Sequence, residues 1–300
     1  MAKSWKALRI EINADAGDVL QATLWEIGML GSVTEAEDAG TITILAYFDS
    51  QTRLSSLTRN LPGLLHNYGA TGAIKRMDPV KVTDTDWVKR WKESYTAFTV
   101  GDRFMLTPTW ESAPQAYDRI VLRMDPGMAF GSGTHESTKL CLLAIEKYYK
   151  PGRTFLDVGT GSGILALAAA KMIACAPLAV RRTAEKSVTA VDVDPVAIKV
   201  AKKNFRLNRV SRYVAPDIGA LEKLPRKKYD FVAANLTAKD LITHRQVLME
   251  TLKRDAWLIL SGILREQDAE VMTAFTQGSA PWTHVERLYL NEWFGLALRR

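Results

Sequence analysis

Phe155-Leu156-Asp157-Val158-Gly159-Thr160-Gly161-Ser162-Gly163-Ile164 is an apolar run that turns through three alternate glycines into a second apolar run. Without side chains, Gly159 and Gly161 let the backbone come within contact distance of a ligand in the crevice beyond a strand's carboxyl end. Dinucleotide binding would need Gly-x-Gly-x-x-Gly, and counted from Gly159 or from Gly161 the last place is not glycine. The order Asp-x-Gly-x-Gly-x-Gly instead fits a nucleoside ligand without a pyrophosphate. Downstream, Ala190-Val191-Asp192-Val193-Asp194-Pro195 puts a carboxylate at the end of the next apolar run. Asp192 can accept both hydroxyls of a ribose, each charge-assisted hydrogen bond being worth roughly 1.5–3 kcal/mol. Asp194, just before Pro195, is suited to cap the helix that the proline opens. The interval from Gly159 to Asp192 is longer than the usual twenty or so residues. Its extra length lies in Met172 to Lys186, which reads as a surface loop.

A third motif, Asp230-Phe231-Val232-Ala233-Ala234-Asn235-Leu236, is a buried strand ending on a side-chain amide. An amine is a nucleophile only as a neutral lone pair, yet free lysine has a pKa near 10.4. Desolvation in a crevice favours the neutral form, and carbonyl oxygens from Asn235 and nearby backbone can hold the amine's hydrogens while aiming its lone pair. A nucleoside site beside an amine-orienting amide predicts transfer of a sulfonium methyl from S-adenosylmethionine to nitrogen. Asn235 is then the expected catalytic residue, and Gly159, Gly161 and Asp192 are expected at the cofactor. The fourth motif, Asp125 to Thr138, is a glycine-rich loop opening a helix, suited to the cofactor's carboxylate. Within it, His135 and Glu136 can either shuttle a proton or serve the loop and helix cap.

These motifs need a scaffold. After Asp118 the pattern is repeated strand then helix, the signature of a parallel sheet with helices on both faces. Strands are expected at Thr154–Val158, Val188–Val193, Tyr213–Ala215, Asp230–Asn235 and Trp257–Ser261, with helices following at Ile164, Val196, Lys239 and Glu266. Trp282–Leu290 and Trp293–Leu298 read as a terminal hairpin turning at Asn291-Glu292. The fold predicted for residues 98–300 is a doubly wound, Rossmann-like α/β sheet with that antiparallel ending. Residues 1–82 read as a small α+β, ferredoxin-like recognition domain. Leu8, Ile10 and Ile12 alternate as in a strand, Asp15 can cap a helix carrying Leu20, Leu24 and Ile27, and strands are expected at Thr41–Phe48 and Ala73–Val82, with a helix from Gln51 between them. Residues 83–97 form an expected linker helix with Trp87 and Trp91 on one face, suited to aromatic packing at a domain junction.

Composition sets outer bounds. The 300 residues are 47% hydrophobic and 24% charged, enough for one large domain and a small one. The two cysteines, Cys141 and Cys175, lie in apolar stretches, which predicts buried thiols, no disulfide and no metal site. Met-Ala-Lys-Ser-Trp-Lys has no signal core, and the most membrane-like stretch, Ile164 to Val180, is interrupted by Lys171 and Pro177, so a cytoplasmic protein is expected. The net charge of +7 falls in short clusters, including Arg181-Arg182 and Lys202-Lys203, that suit either solvated helix faces or direct RNA contact.

The chain resembles the PrmA family of methyltransferases, which act on ribosomal large-subunit protein eleven, over nearly its full length. The resemblance rests on Asp125-Pro126-Gly127-Met128-Ala129-Phe130-Gly131 with Thr134, His135 and Thr138, on Val232 to Leu236, on Leu260 to Leu264, and on Asp86-Trp87 with Trp91. It implies that the N-terminal domain recognises the ribosomal protein and that lysine side chains and the terminal amine are methylated. By position it implies cofactor contacts at Thr138, Gly159, Asp192, Asn235 and Phe130. The family usually has Cys at Thr160, Thr at Ser132, Pro at Glu136 and a shorter segment than Met172 to Lys186. Two other readings stay open: a methyltransferase of another protein lysine or of a nucleic-acid or small-molecule amine, and a non-catalytic binding module. An adenine substrate would be favoured by Asn-Pro-Pro-aromatic at the strand end, where this chain has Asn235-Leu236-Thr237.

Overall fold

The computed structural model describes all residues except 1–4, 39, 50, 68, 83–95, 112–117, 125–132, 224–226 and 278–281. The expected linker helix with Trp87 and Trp91, and most of the loop from Asp125 including Phe130, lie outside the described residues. The chain divides into two compact units, Met1–Tyr95 and Thr96–Arg300.

In the first unit, β1 (Trp5–Asn13), α1 (Gly17–Glu26), β2 (Gly31–Asp38), β3 (Thr41–Phe48), α2 (Leu54–Asn67) and β4 (Ile74–Val82) follow in order. The antiparallel sheet runs β2-β3-β1-β4, the split-βαβ arrangement. Alternation places Leu8, Ile10 and Ile12 in one core with Leu20, Leu24, Leu61 and Leu65 from the helices. Two expectations are corrected here. Asp15 caps nothing, because it lies inside a 3-10 turn, Ala14–Ala16, that precedes α1. Strand β2 was not foreseen: Ser32 to Asp38 shows no apolar alternation, because β2 is an edge strand whose side chains are half-buried or exposed.

The second unit begins with a three-stranded sheet, β5 (Phe98–Val100), β6 (Phe104–Pro108) and β7 (Ile120–Met124). Its main sheet has seven strands in the order β10-β9-β8-β11-β12-β14-β13. Of these, β8 (Phe155–Val158), β9 (Val188–Asp192), β10 (Val214–Ile218), β11 (Tyr229–Asn235) and β12 (Leu252–Leu264) are parallel. The hairpin β13 (His284–Leu290) and β14 (Trp293–Arg299) closes the sheet antiparallel to β12. Side chains of successive strand residues enter opposite cores: Phe155, Phe231 and Ala233 face one, and Leu156, Val232 and Ala234 the other. The first core is covered by α3 (Glu136–Tyr148), α4 (Ile164–Ala174) and α6 (Pro195–Leu207). The second is covered by α7 (Ala238–Thr243), α8 (Arg245–Glu250) and α9 (Asp268–Thr276).

The segment from Met172 to Lys186 is not a plain loop. It completes α4 and then forms α5 (Leu178–Thr183), which starts after Pro177 and buries none of its residues. Proline has no amide to lose at a helix start, so a helix signal hides in what reads as a breaker. Cys141 is buried as expected, but Cys175 is exposed, because α4 ends at Ala174 and leaves it on the cap. Among the described residues no helix is long and apolar enough to cross a membrane.

Candidate active site

The chain leaves β8 toward β9 and β10 on one side, then returns to β11 and β12 on the other. Strand order therefore reverses between β8 and β11, where open α/β sheets place their ligands. Gly159 follows β8, Asp192 ends β9 and Asn235 ends β11, so the expected residues converge on the carboxyl edge of three neighbouring strands.

Two glycines shape the turn that follows β8. Gly159 and Gly161 have φ of 66° and 54°, conformations that side chains oppose. The turn is held from below by Asp157, whose Oδ2 accepts from Thr160 Oγ1 at 2.6 Å and from the Ala166 amide at 3.0 Å. Its Oδ1 is buried and has no hydrogen-bond partner among the described residues. Burial pushes the Asp157 carboxyl up to about 6, against the pull of the Thr160 and Ala166 hydrogen bonds.

Asp192 ties the turn to the neighbouring strand. One carboxylate oxygen accepts from the Gly161 amide at 2.9 Å and the other from the Asp194 amide at 2.9 Å. A carboxylate has about four lone-pair directions, so two further donors, such as a ribose's hydroxyls, can be accommodated. Asp194 caps α6 by accepting from the Val196 amide at 2.7 Å. Two apolar side chains missed in the sequence stand beside this carboxylate. Val193 is 70% exposed and Ile218, paired in register with Asp192, is 52% exposed. Such exposed apolar groups beside a carboxylate can pack on the faces of a planar ring. The available signal was a β-branched residue directly after an aspartate, Val193 after Asp192 just past β9 and Ile218 after Asp217 at the end of β10.

Asn235 and Thr138 meet although far apart in sequence. Asn235 Nδ2 donates to the Oγ1 of the fully buried Thr138 at 3.3 Å, leaving Asn235 Oδ1 buried without a partner among the described residues. Gly262, with φ of 86°, makes room for that amide: a Cβ there would overlap the Leu236 carbonyl and lie 3.0 Å from Asn235 Oδ1. A glycine interrupting the apolar run of β12 was the available signal.

His135 is a helix cap. Its Nδ1 accepts from the Ser137 amide at 3.3 Å and lies 2.7 Å from Ser137 Oγ. Burial lowers its pKa, more than neighbouring Glu136 and Glu292 raise it, so the ring is neutral near pH 7. The edge of the ring meets Trp293, with centroids 4.3 Å apart. Trp293 was read only as a strand residue; nothing in a terminal hairpin's alternation marks it. Among the described residues no group of three or more His, Cys, Asp or Glu side chains is placed to hold a metal.

The family model for ribosomal protein L11 methyltransferase (PrmA) matches residues 4–300. A ribosomal protein L11 methyltransferase of Pelobacter propionicus is 34% identical over 320 aligned positions, covering 100% of this chain and 99% of that protein. Another, of Caldicellulosiruptor bescii, is 33% identical and covers 95% of each. The crystal structure of a ribosomal protein L11 methylase from Lactobacillus delbrueckii subsp. bulgaricus is 32% identical, with a TM-score of 0.58, over 69% of this chain and 99% of that one.

Proposed function

The chain belongs to the ribosomal protein L11 methyltransferase (PrmA) family, and on that premise we propose that it uses S-adenosylmethionine to methylate lysine side-chain and N-terminal amines of ribosomal protein L11 in the cytoplasm. S-adenosylmethionine supplies a methyl group made electrophilic by the positive sulfur. The chain's own residues bind, orient and exclude water. Asp192 receives the ribose, Val193 and Ile218 flank the base, and the Gly159–Gly161 turn admits the cofactor against bare backbone. Phe130 is a further proposed contact.

The observation that carries the chemistry is the buried Oδ1 of Asn235, which has no partner among the described residues. An orphaned buried acceptor is costly, by about 1–3 kcal/mol, unless a ligand satisfies it. A neutral amine does so by donating one N–H, which turns its lone pair toward the methyl. Thr138 acts through Asn235 as a positioning residue, fixing which way the carboxamide points. Among the described residues His135 is not available as a base through its Nδ1, which is spent on the helix cap. The substrate therefore enters as the neutral amine and gives up its proton after transfer.

Mass mapping of L11 after incubation with enzyme and cofactor tests this. Methyl groups on lysine and terminal nitrogen are expected; methylation confined to oxygen or sulfur, or to another protein or a nucleic acid, would overturn the assignment.

A further inference from the structure

The basic surplus is concentrated on one face of the second unit. From Pro195 to Val214 the chain carries Lys199, Lys202, Lys203, Arg206, Arg209 and Arg212 and no acidic residue. The first four recur at i, i+3, i+4 and i+7 of α6 and form one exposed stripe, while Ala197, Ile198, Ala201 and Phe205 are buried on the opposite side. The stripe continues past the helix. Arg212 Nη2 donates to the Arg181 carbonyl at 3.2 Å, and the Lys186 amide donates to the Arg212 carbonyl at 3.0 Å. Lys186 Nζ reaches the carbonyls of Ser211 and Val214 at 3.0 and 2.7 Å. The Met172 to Lys186 segment thus adds Arg181, Arg182 and Lys186 to the same face.

Most cations of this face, Lys203 aside, have no counter-charge in an ion pair among the described residues. Elsewhere on the unit Lys147 pairs with Glu286, Lys253 and Arg153 with Asp230, and Arg299 with Asp255. Lys199, Lys202, Arg206, Arg209, Arg212, Arg182 and Lys186 form no ion pair among the described residues. Cations held near one another by carbonyl oxygens repel, and a polyanion relieves that repulsion.

We propose that this face, α6 together with α5 and the turn after α6, docks on the phosphate backbone of RNA. Neighbouring cations about 5–6 Å apart along a helix match a chain of phosphates better than a single anion. A membrane would need a broad apolar face between the cations, and the exposed large apolar side chains among the described residues of this face are Val196 and Leu207, at the two ends of α6, and Leu178 at the start of α5. The choice of RNA among polyanions rests on the proposed substrate, a protein of the ribosome, a particle built on RNA. The contact would bring the catalytic unit to a substrate at or near RNA.

The test uses the full chain and a fluorescent RNA stem-loop, titrated between 50 and 200 mM salt. With Lys199, Lys202, Lys203 and Arg206 all changed to Gln, RNA affinity should fall about tenfold or more, and the slope of log affinity against log salt should flatten by roughly 3. Arg209→Gln with Arg212→Gln is an independent second variant expected to show a smaller loss. Cofactor binding and methylation of isolated L11 should be unchanged in both, and Lys147→Gln with Lys150→Gln, elsewhere on the unit, should leave RNA affinity as it was. Unchanged RNA affinity in both stripe variants would overturn the proposal. So would tighter binding of polyglutamate or of phosphatidylserine vesicles than of RNA, lost in the same variants. Failure to methylate L11 with RNA binding intact would count against the substrate assignment and not against this surface.

Discussion

Asn235 and Asp157 both carry a buried oxygen without a partner among the described residues, yet they answer to different experiments. Asn235 faces the proposed amine, so Asn235→Ala should lower kcat by on the order of tenfold or more while cofactor affinity changes little. Equal losses in both would make it chiefly a cofactor contact. Asp157 is structural, and its carboxyl is held up to about 6 by burial. Between about pH 4 and 6 the folded chain keeps a proton there that the unfolded chain has released, so the stability it contributes is full below about pH 4 and is lost as pH rises through 6. Asp157→Asn removes this slope: relative to wild type, the variant should gain stability across that window, measured by denaturant unfolding at several pH values. A constant difference between the two proteins would contradict the assignment. Asp157, Asp192 and Asn235 were all visible in the sequence as strand-end polar residues. That Asp157 is wholly buried, or that Asn235 rests on Thr138 ninety-seven positions away, was not, because both follow from packing between distant segments.

Elements were legible where one residue type decides the geometry. Pro195 after Asp194 marked the start of α6, and Asn291, with φ of 53°, marked the two-residue hairpin turn. Strand β2 and helix α5 were not legible, because neither buries a full apolar face and periodicity is written only by burial. The glycine turn depends on its join to α6. Gly163, at φ of 85°, has Phe205 and Ala201 where a Cβ would come within 2.9 Å. Gly163→Ala should cost about 1–2 kcal/mol for the left-handed backbone and about 1–3 kcal/mol more for overpacking. Calorimetry would read this as a clear drop in unfolding midpoint, and an unchanged midpoint would show that the turn relaxes freely.

At the scale of the whole molecule, each unit has its own core, and every described site residue lies in Thr96–Arg300. That unit expressed alone should bind S-adenosylmethionine within about twofold of the full chain, since no described site residue is removed. If residues 1–82 recognise the protein substrate, methylation of L11 by the isolated unit should show a raised KM, with the loss in kcat/KM lying mainly there. Equal KM for the two forms would move recognition to the catalytic unit. The fold class and the positions of the main strands along the chain were readable because parallel sheets repeat a strand-then-helix rhythm, whereas their order in the sheet was not; the substrate was readable only through resemblance, since the amine's carrier leaves no mark on the cofactor crevice. The most direct test is transfer of labelled methyl from S-adenosylmethionine to purified ribosomal protein L11 by wild type and by Asp192→Ala, side by side. Label in L11 with wild type, reduced about thirty- to a hundred-and-fiftyfold at low cofactor concentration in the variant for a loss of about 2–3 kcal/mol, is the predicted result; no label with wild type, or equal label with both, would contradict it.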